Sequence, residues 1–231
     1  MNDSPFAIDV AFHLGPIAVT QPVVVTWILM AVLVLSSALL TRKLSLHPGK
    51  TQAALELLIS VIDSHIRDTM QTSPQRYRAL IGTLFLFILI ANWTSLLPVL
   101  EPPTATLETD IALALIVFVA TLIFGVTTRG WRGYLRTFVE PSWVLIPVNI
   151  FQQITRTFSM FIRLFGNVMS GVFVAGIMLS LAGFLVPIPL MALDLLIGAV
   201  QAYIFAVLSM VFIGAAINRE SEQLNNDSAN L

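Results

Sequence analysis

Apolar residues come in long unbroken runs along this chain, separated by shorter polar segments that hold most of the charge. Residues 22–41, PVVVTWILMAVLVLSSALLT, form the first run. A helix of about 20 apolar residues covers the ~30 Å hydrocarbon core of a bilayer. A second run covers 79–98 and a third 110–127. Two longer blocks, 144–184 and 189–217, flank the sequence VPIP. Drawn as one helix, the first of these would extend about 60 Å, twice a perpendicular crossing. The last two helices are therefore predicted to form a long hairpin, steeply tilted or broken. Residues 51–69 follow a different rule. Leu55, Leu58, Ile59, Ile62 and Ile66 recur at helical spacing against Glu56, Ser60, Asp63 and Arg67. That pattern predicts an amphipathic helix at the interface or against partner helices. Residues 1–21 are polar to mixed, 218–231 form a polar tail, and no internal repeat is visible.

Composition sharpens this picture. Of the 231 residues, 57% are hydrophobic and only 11% charged, against about 25% charged in soluble domains. The expected fold class is an all-α integral membrane protein, one polytopic domain with about five transmembrane helices and one interfacial amphipathic helix. A net charge of −1 and the lack of a basic tract give no sign of nucleic-acid binding. The chain has no cysteine, which excludes disulfides, thiolate chemistry and iron–sulfur ligation. Its first residues, MNDSPFAIDVAFHLG, lack the basic stretch of a secretory signal, so cleavage is not expected.

Charge placement sets the orientation. Arg42, Lys43, Lys50, Arg67, Arg76, Arg78, Arg129, Arg132, Arg136 and Arg219 all fall on one side if five spans begin with the N-terminus outside. The opposite side (residues 1–21, the 98–109 loop and the 185–189 turn) has no Lys or Arg. The positive-inside rule then puts the basic loops and the C-terminus in the cytoplasm.

Three charges remain inside the last two helices: Arg156, Arg163 and Asp194. Arg156, Arg163, Asn167 and Ser170 share one helical face, and Asp194 and Gln201 share another. Arginine keeps its proton in a protein, so Arg163 cannot be buried in lipid as a neutral group. Intramembrane ionisable residues mark ion pathways by default. Blander readings stand beside that one: Arg163 paired with Asp194, Arg156 snorkelling to the cytoplasmic surface, Asp194 as a hydrogen-bonded helix residue. Asn92 with Trp93 reads as interfacial polarity, His65 as solvated, and Glu101, Glu108 and Asp110 as a wet loop.

The segments SMFIRLFGN (159–167) and GAVQAYIF (198–205) resemble the corresponding motifs of subunit a of the F-type ATP synthase, its membrane stator. The motif's Arg matches Arg163, its Asn matches Asn167, and the Gln of the final helix matches Gln201. NWTSLLPVLEPPTATLETDIALAL is similar to the family's Asn–Leu–Leu–Pro and Pro–Pro–Thr segment and brings in Asn92. With the span order and the amphipathic second helix, the resemblance covers most of residues 22–220. There are departures. Relatives commonly carry Glu at the position of Val172, His at that of Asp194, Glu at that of Gln153 and Pro at that of Thr157. A carboxylate is missing from one helix and present on the facing one, as though the polar group had moved across. Such departures also fit a divergent branch proposed to move Na⁺.

The resemblance implies a non-catalytic subunit that forms two ion half-channels against a rotating ring of c subunits. It would couple H⁺ or Na⁺ movement to ATP synthesis or ATP-driven pumping. Implied partners are the c ring, the b subunits of the peripheral stalk and the bilayer of a bacterial inner membrane; no cofactor is implied. Arg163 would separate the half-channels, with Gln201 and Asn167 as hydrogen-bonding neighbours. Asp194 would relay ions on the outer side, and Asn92, Ser170 and Glu108 are further candidates for lining a path. Two rival readings fit the sequence less well. A stand-alone secondary transporter would usually show duplicated halves, which are absent here. An intramembrane enzyme needs a nucleophile or metal set, but the chain lacks Cys and its three His lie outside the predicted spans.

Overall fold

A computed structural model describes residues 10–14, 17–42, 49–96, 102–139, 146–182 and 187–229. The first nine residues, the loop around Glu101, positions 144–145, the start of VPIP and the last two residues lie outside the described residues, as does the side chain of Val172.

The membrane portion is all-α. Within the mixed N-terminal segment, β1 (Val10–Leu14) and β2 (Ile17–Thr20) pair antiparallel, with His13 opposite Ala18 and Leu14 opposite Ile17. That hairpin has no counterpart in the apolar-run reading. Thr20 leads into α1 (Gln21–Thr41), whose Pro22 occupies the first turn, where a missing N–H costs nothing. Only Pro22, Val25 and Leu29 of α1 are buried; Val25 and Leu29 meet Ala91.

The amphipathic helix is α2 (Lys50–Met70). Its inner face differs from the expected one in two places. Ile66 and Met70 are fully buried against Met210, Ile213 and Ile217, whereas Ile59 is exposed. Asp63, expected on the wet face, is buried and forms a bidentate pair with Arg78, Nε donating to Oδ1 at 2.6 Å. His65, expected to be solvated, is half-buried edge-on to the Tyr203 ring at 5.5 Å between centroids.

Next comes α3 (Arg78–Trp93), a 16-residue apolar helix followed by a 3₁₀ turn at Thr94–Leu96. After a second 3₁₀ turn at Pro103–Ala105, α4 (Leu107–Val139) carries the third span. The basic stretch RGWRGYLR, expected to separate the spans, is helical and continues α4 beyond a break at Gly130. The break has φ 74° and ψ 164°, a backbone state open only to glycine. Asp110, expected in a wet loop, is a fully buried residue in the first turn of α4.

The final pair is α5 (Ile146–Ala182) and α6 (Pro187–Ala229). Of the two forms expected for these helices, tilted or broken, no break is present. α5 is 37 residues long and continuous, about 55 Å at 1.5 Å per residue. Pro187 and Pro189, expected in a turn, begin α6, where proline is tolerated. At its far end α6 continues through the polar tail to Ala229.

Among the described residues, four helices have the length and apolar composition to cross a bilayer: Gln21–Thr41, Leu107–Trp131, Pro147–Met178 and Pro189–Ile217. With the shorter α3 they make an all-α membrane protein. Their packing is antiparallel in order. At one end Asn92 Nδ2 of α3 donates to Gly198 O of α6 at 2.9 Å. At the other, Arg129 of α4 donates to Ile217 O of α6 from Nε (3.3 Å) and Nη2 (3.1 Å), and Tyr77 stacks edge-on against Phe124. This second end also holds α2 and Arg78. Between the ends lies one core: Leu84 and Ile88 of α3, Leu113, Ala114 and Val117 of α4, Met160 and Leu164 of α5, and Ala202 and Phe205 of α6. In lipid such a core is held by close packing rather than by exclusion of water.

Candidate functional site

The two polar stripes expected on the last helices do face one another over part of their length. Asn167, Ser170 and Gly171 of α5 and Asp194 of α6 line a cavity of about 210 Å³, together with Ser95 beyond the end of α3. Apolar residues complete it, including Val174, Leu190 and Ile197. Ser95 Oγ donates to Asn92 O at 2.8 Å and lies 3.5 Å from Asp194 Oδ2. A cavity of this size holds several waters if polar groups anchor them, and here one carboxylate and three neutral oxygen-bearing side chains are available.

Gly171 explains how Asp194 fits. A Cβ at position 171 would lie 2.8 Å from Asp194 Cγ, inside any tolerable contact. The carboxylate of α6 therefore rests over a bare patch of α5. Gly171→Ala is expected to displace it and to destabilise the α5–α6 contact by about 1–3 kcal/mol, the usual cost of overpacking. Thermal unfolding in detergent reads this out; a midpoint equal to that of the unaltered chain would show that the two helices do not meet so closely.

Arg163 is placed differently. It sits at the centre of the Pro147–Met178 span and is exposed on the surface of this chain. Among the described residues it has no hydrogen-bond or ion-pair partner, so the Arg163–Asp194 pair is not formed. Its helical face carries Ser159, Gly166 and Ser170, all exposed, and nothing lies within 4 Å of a Cβ built at Gly166. Arg156, one end of the same stripe, is half-buried with its guanidinium 5.7 Å from the Phe212 ring centre, a cation–π contact. Arg156 faces Phe212 and Gly171 faces Asp194. Arg163, midway between them, is thus level with the turn of α6 that begins at Gln201.

The other candidates are dispersed. Gln201 is buried, 6% exposed, with no hydrogen-bond partner among the described residues. Asn92 is buried outside the cavity with both ends of its amide engaged: Nδ2 on Gly198 O, and Oδ1 accepting from Thr104 at 2.9 Å. Gly198 permits that approach, since a Cβ there would stand 3.0 Å from Asn92 Cβ. Glu108 is exposed in the first turn of α4 and does not line the cavity. Ser95 and Gly171 were missed by the sequence reading. A hydroxyl just past the end of a span and a glycine one residue beyond a polar stripe were the available signals.

These helices match known proteins over nearly their whole length. The family model for the ATP synthase A chain matches residues 23–214. ATP synthase subunit a 2 of Bradyrhizobium sp. is 49% identical over 94% of this chain and 97% of its own length. ATP synthase subunit a of Albidiferax ferrireducens is 44% identical over 87% of this chain and 88% of its own. ATP synthase subunit a 1 of Hahella chejuensis is 40% identical over 96% and 94%. A match on this scale, spanning both the Arg163 and the Gln201 helices, places the chain in the ATP synthase A chain family.

Proposed function

We propose that this chain is the ion-conducting stator of the ATP synthase membrane sector, and that it works against a ring of c subunits. The observation that carries this reading is Arg163 at mid-span: exposed on its own chain, with the small residues Ser159, Gly166 and Ser170 along its face and without a partner among the described residues. A permanent cation facing lipid costs between about 2.5 and more than 10 kcal/mol. A carboxylate on a neighbouring subunit removes that cost, and Ser159, Gly166 and Ser170 leave room for a helix to come close.

The physics of transport follows. A ring carboxylate facing lipid is desolvated and keeps its ion, H⁺ or Na⁺. Opposite Arg163 its charged form is favoured and the ion leaves. The cavity at Asp194 supplies ions on the outer side, and a second path drains them to the cytoplasmic side, where the basic loops lie. Arg163 stands between the two paths and repels a hydrated cation, so an ion crosses only by riding the ring. Each elementary charge moved through 100 mV releases about 2.3 kcal/mol. The chain itself carries no nucleotide chemistry in this reading; the b subunits of the peripheral stalk hold it against rotation in a bacterial inner membrane, N-terminus outside and C-terminus cytoplasmic.

The chain has no cysteine, which makes the test clean. Gly166→Cys, at a position open to space, should form disulfides with cysteines placed beside the ring carboxylate when the assembled complex is oxidised. Cross-linking confined to the buried face of α5, for example from Val168→Cys, would overturn the reading.

A further inference from the structure

The span of α4 ends at Trp131 and that of α6 at Ile217. Arg129 joins the two ends, donating to Ile217 O from both Nε (3.3 Å) and Nη2 (3.1 Å). The break at Gly130 therefore falls where both helices reach the same membrane surface. A single residue at φ 74° and ψ 164° redirects the helix axis, and α4 resumes beyond it over residues 131–139, a length of about 13 Å.

The sequence of that segment, WRGYLRTFV, is two-sided. At the helical period Trp131, Tyr134, Leu135 and Phe138 fall on one side, and Arg132 and Arg136 fall on another. Trp131 is 68% exposed, so this chain leaves most of its indole uncovered. No acidic residue stands between Asp110 and Glu140, so nothing in this stretch of sequence offsets Arg129, Arg132 and Arg136.

Each part of the pattern suits a lipid surface. Tryptophan and tyrosine concentrate where hydrocarbon gives way to head groups, since their rings are apolar and their polar tips are wet. A short amphipathic helix with a basic side lies in that layer with its apolar side toward the acyl chains. Guanidinium groups bind phosphate through paired N–H donors in a fixed fork, and they keep their charge there. An acidic protein surface would match the arginines equally well, but it would leave the aromatic side without an apolar counterpart. The surface of a bilayer satisfies both sides at once.

We propose that residues 129–139 form an anionic-phospholipid site at the basic end of the bundle, in which Arg132 and Arg136 bind lipid phosphates while Trp131 seats the segment among the acyl chains. The break supplies the change of direction, and the tie from Arg129 to Ile217 holds it at the surface. This site lies at the opposite end of the bundle from the Asp194 cavity and does not depend on the stator reading.

The test uses the assembled ATP synthase in vesicles of phosphatidylcholine. One sample carries a trace of photoactivatable phosphatidylglycerol and a parallel one photoactivatable phosphatidylcholine, each with the same reactive group near the head group. After illumination, peptides are mapped for attached lipid. Phosphatidylglycerol should label residues 129–139 about fivefold more than phosphatidylcholine does. Arg132→Gln combined with Arg136→Gln should bring the two lipids level. Arg132→Lys combined with Arg136→Lys should keep most of the preference, because the charge is retained. Equal labelling of the unaltered protein by both lipids overturns the proposal. Protection from both lipids also overturns it, because another subunit would then cover the segment. A preference that survives intact in an assembled Gln pair overturns it too. If the Gln pair does not assemble, salt decides on the unaltered protein: the preference should fall as ionic strength rises, and a preference indifferent to salt overturns the site.

Discussion

Arg163→Ala is expected to reduce ion-driven ATP synthesis to an undetectable level, while the soluble catalytic sector still hydrolyses ATP. Arg163 lies at the centre of its span with no intramolecular partner among the described residues, so its charge is available to another subunit. A fixed cation beside a carboxylate lowers its pKa by about 1–3 units, each worth about 1.4 kcal/mol. In the mechanism proposed above, without it the ring carboxylate would keep its ion as it passes, and nothing would repel a cation moving directly between the two paths. Vesicles carrying the variant should therefore neither make ATP from an imposed gradient nor acidify when given ATP. Arg163→Lys should recover little, because desolvation strips an ammonium of its proton where a guanidinium keeps it. Retained coupling in the alanine variant would refute the assignment of Arg163.

Asp194→Asn is expected to slow ion uptake from the outer side much more than Val172→Ala does. Among the described residues, Asp194 is the one carboxylate lining the cavity, resting over Gly171 with Ser95 at 3.5 Å. Asparagine preserves the size but neither binds nor releases an ion. The comparison with position 172 tests whether the carboxylate function has moved from α5 to α6. Uptake measured under an outward-positive potential should fall at least tenfold in Asp194→Asn, an added barrier of about 1.4 kcal/mol or more. Equal rates in the two variants would end the idea of a relocated carboxylate.

The helices were legible because lipid leaves the backbone few choices. Without water to satisfy N–H and C=O groups, long apolar runs must be helical. The amphipathic α2 and the facing stripes of α5 and α6 followed from periodicity alone. What periodicity could not supply was the identity of partners distant in sequence. Asp63 sits at a spacing that fits a wet face, but Arg78, fifteen residues on, draws it inward. His65 is covered by Tyr203 from a helix more than a hundred residues away. Asp110 follows a proline-rich loop and has Glu108 beside it, so local composition indicated water. Only the Asp110–Ala114–Val117 spacing hinted at an inward face. Pro187 and Pro189 suggested a turn because proline interrupts a continuing helix, yet both fall in the first turn of α6, where it is tolerated. The glycines and arginines after residue 127 pointed to a loop, whereas the helix resumes beyond a single break at Gly130.

The cross-ties on α6 bear on how the chain, in the stator role proposed above, would withstand a turning load. Asn92 grips Gly198 near one surface, and Arg129 grips the Ile217 carbonyl near the other. A helix pinned at two heights to two different neighbours resists both sliding along its axis and rolling about it. Under the proposed stator role, torque delivered at mid-span would pass into α3 and α4 as a couple, and α6 would keep Asp194 in fixed register while the rotor steps past.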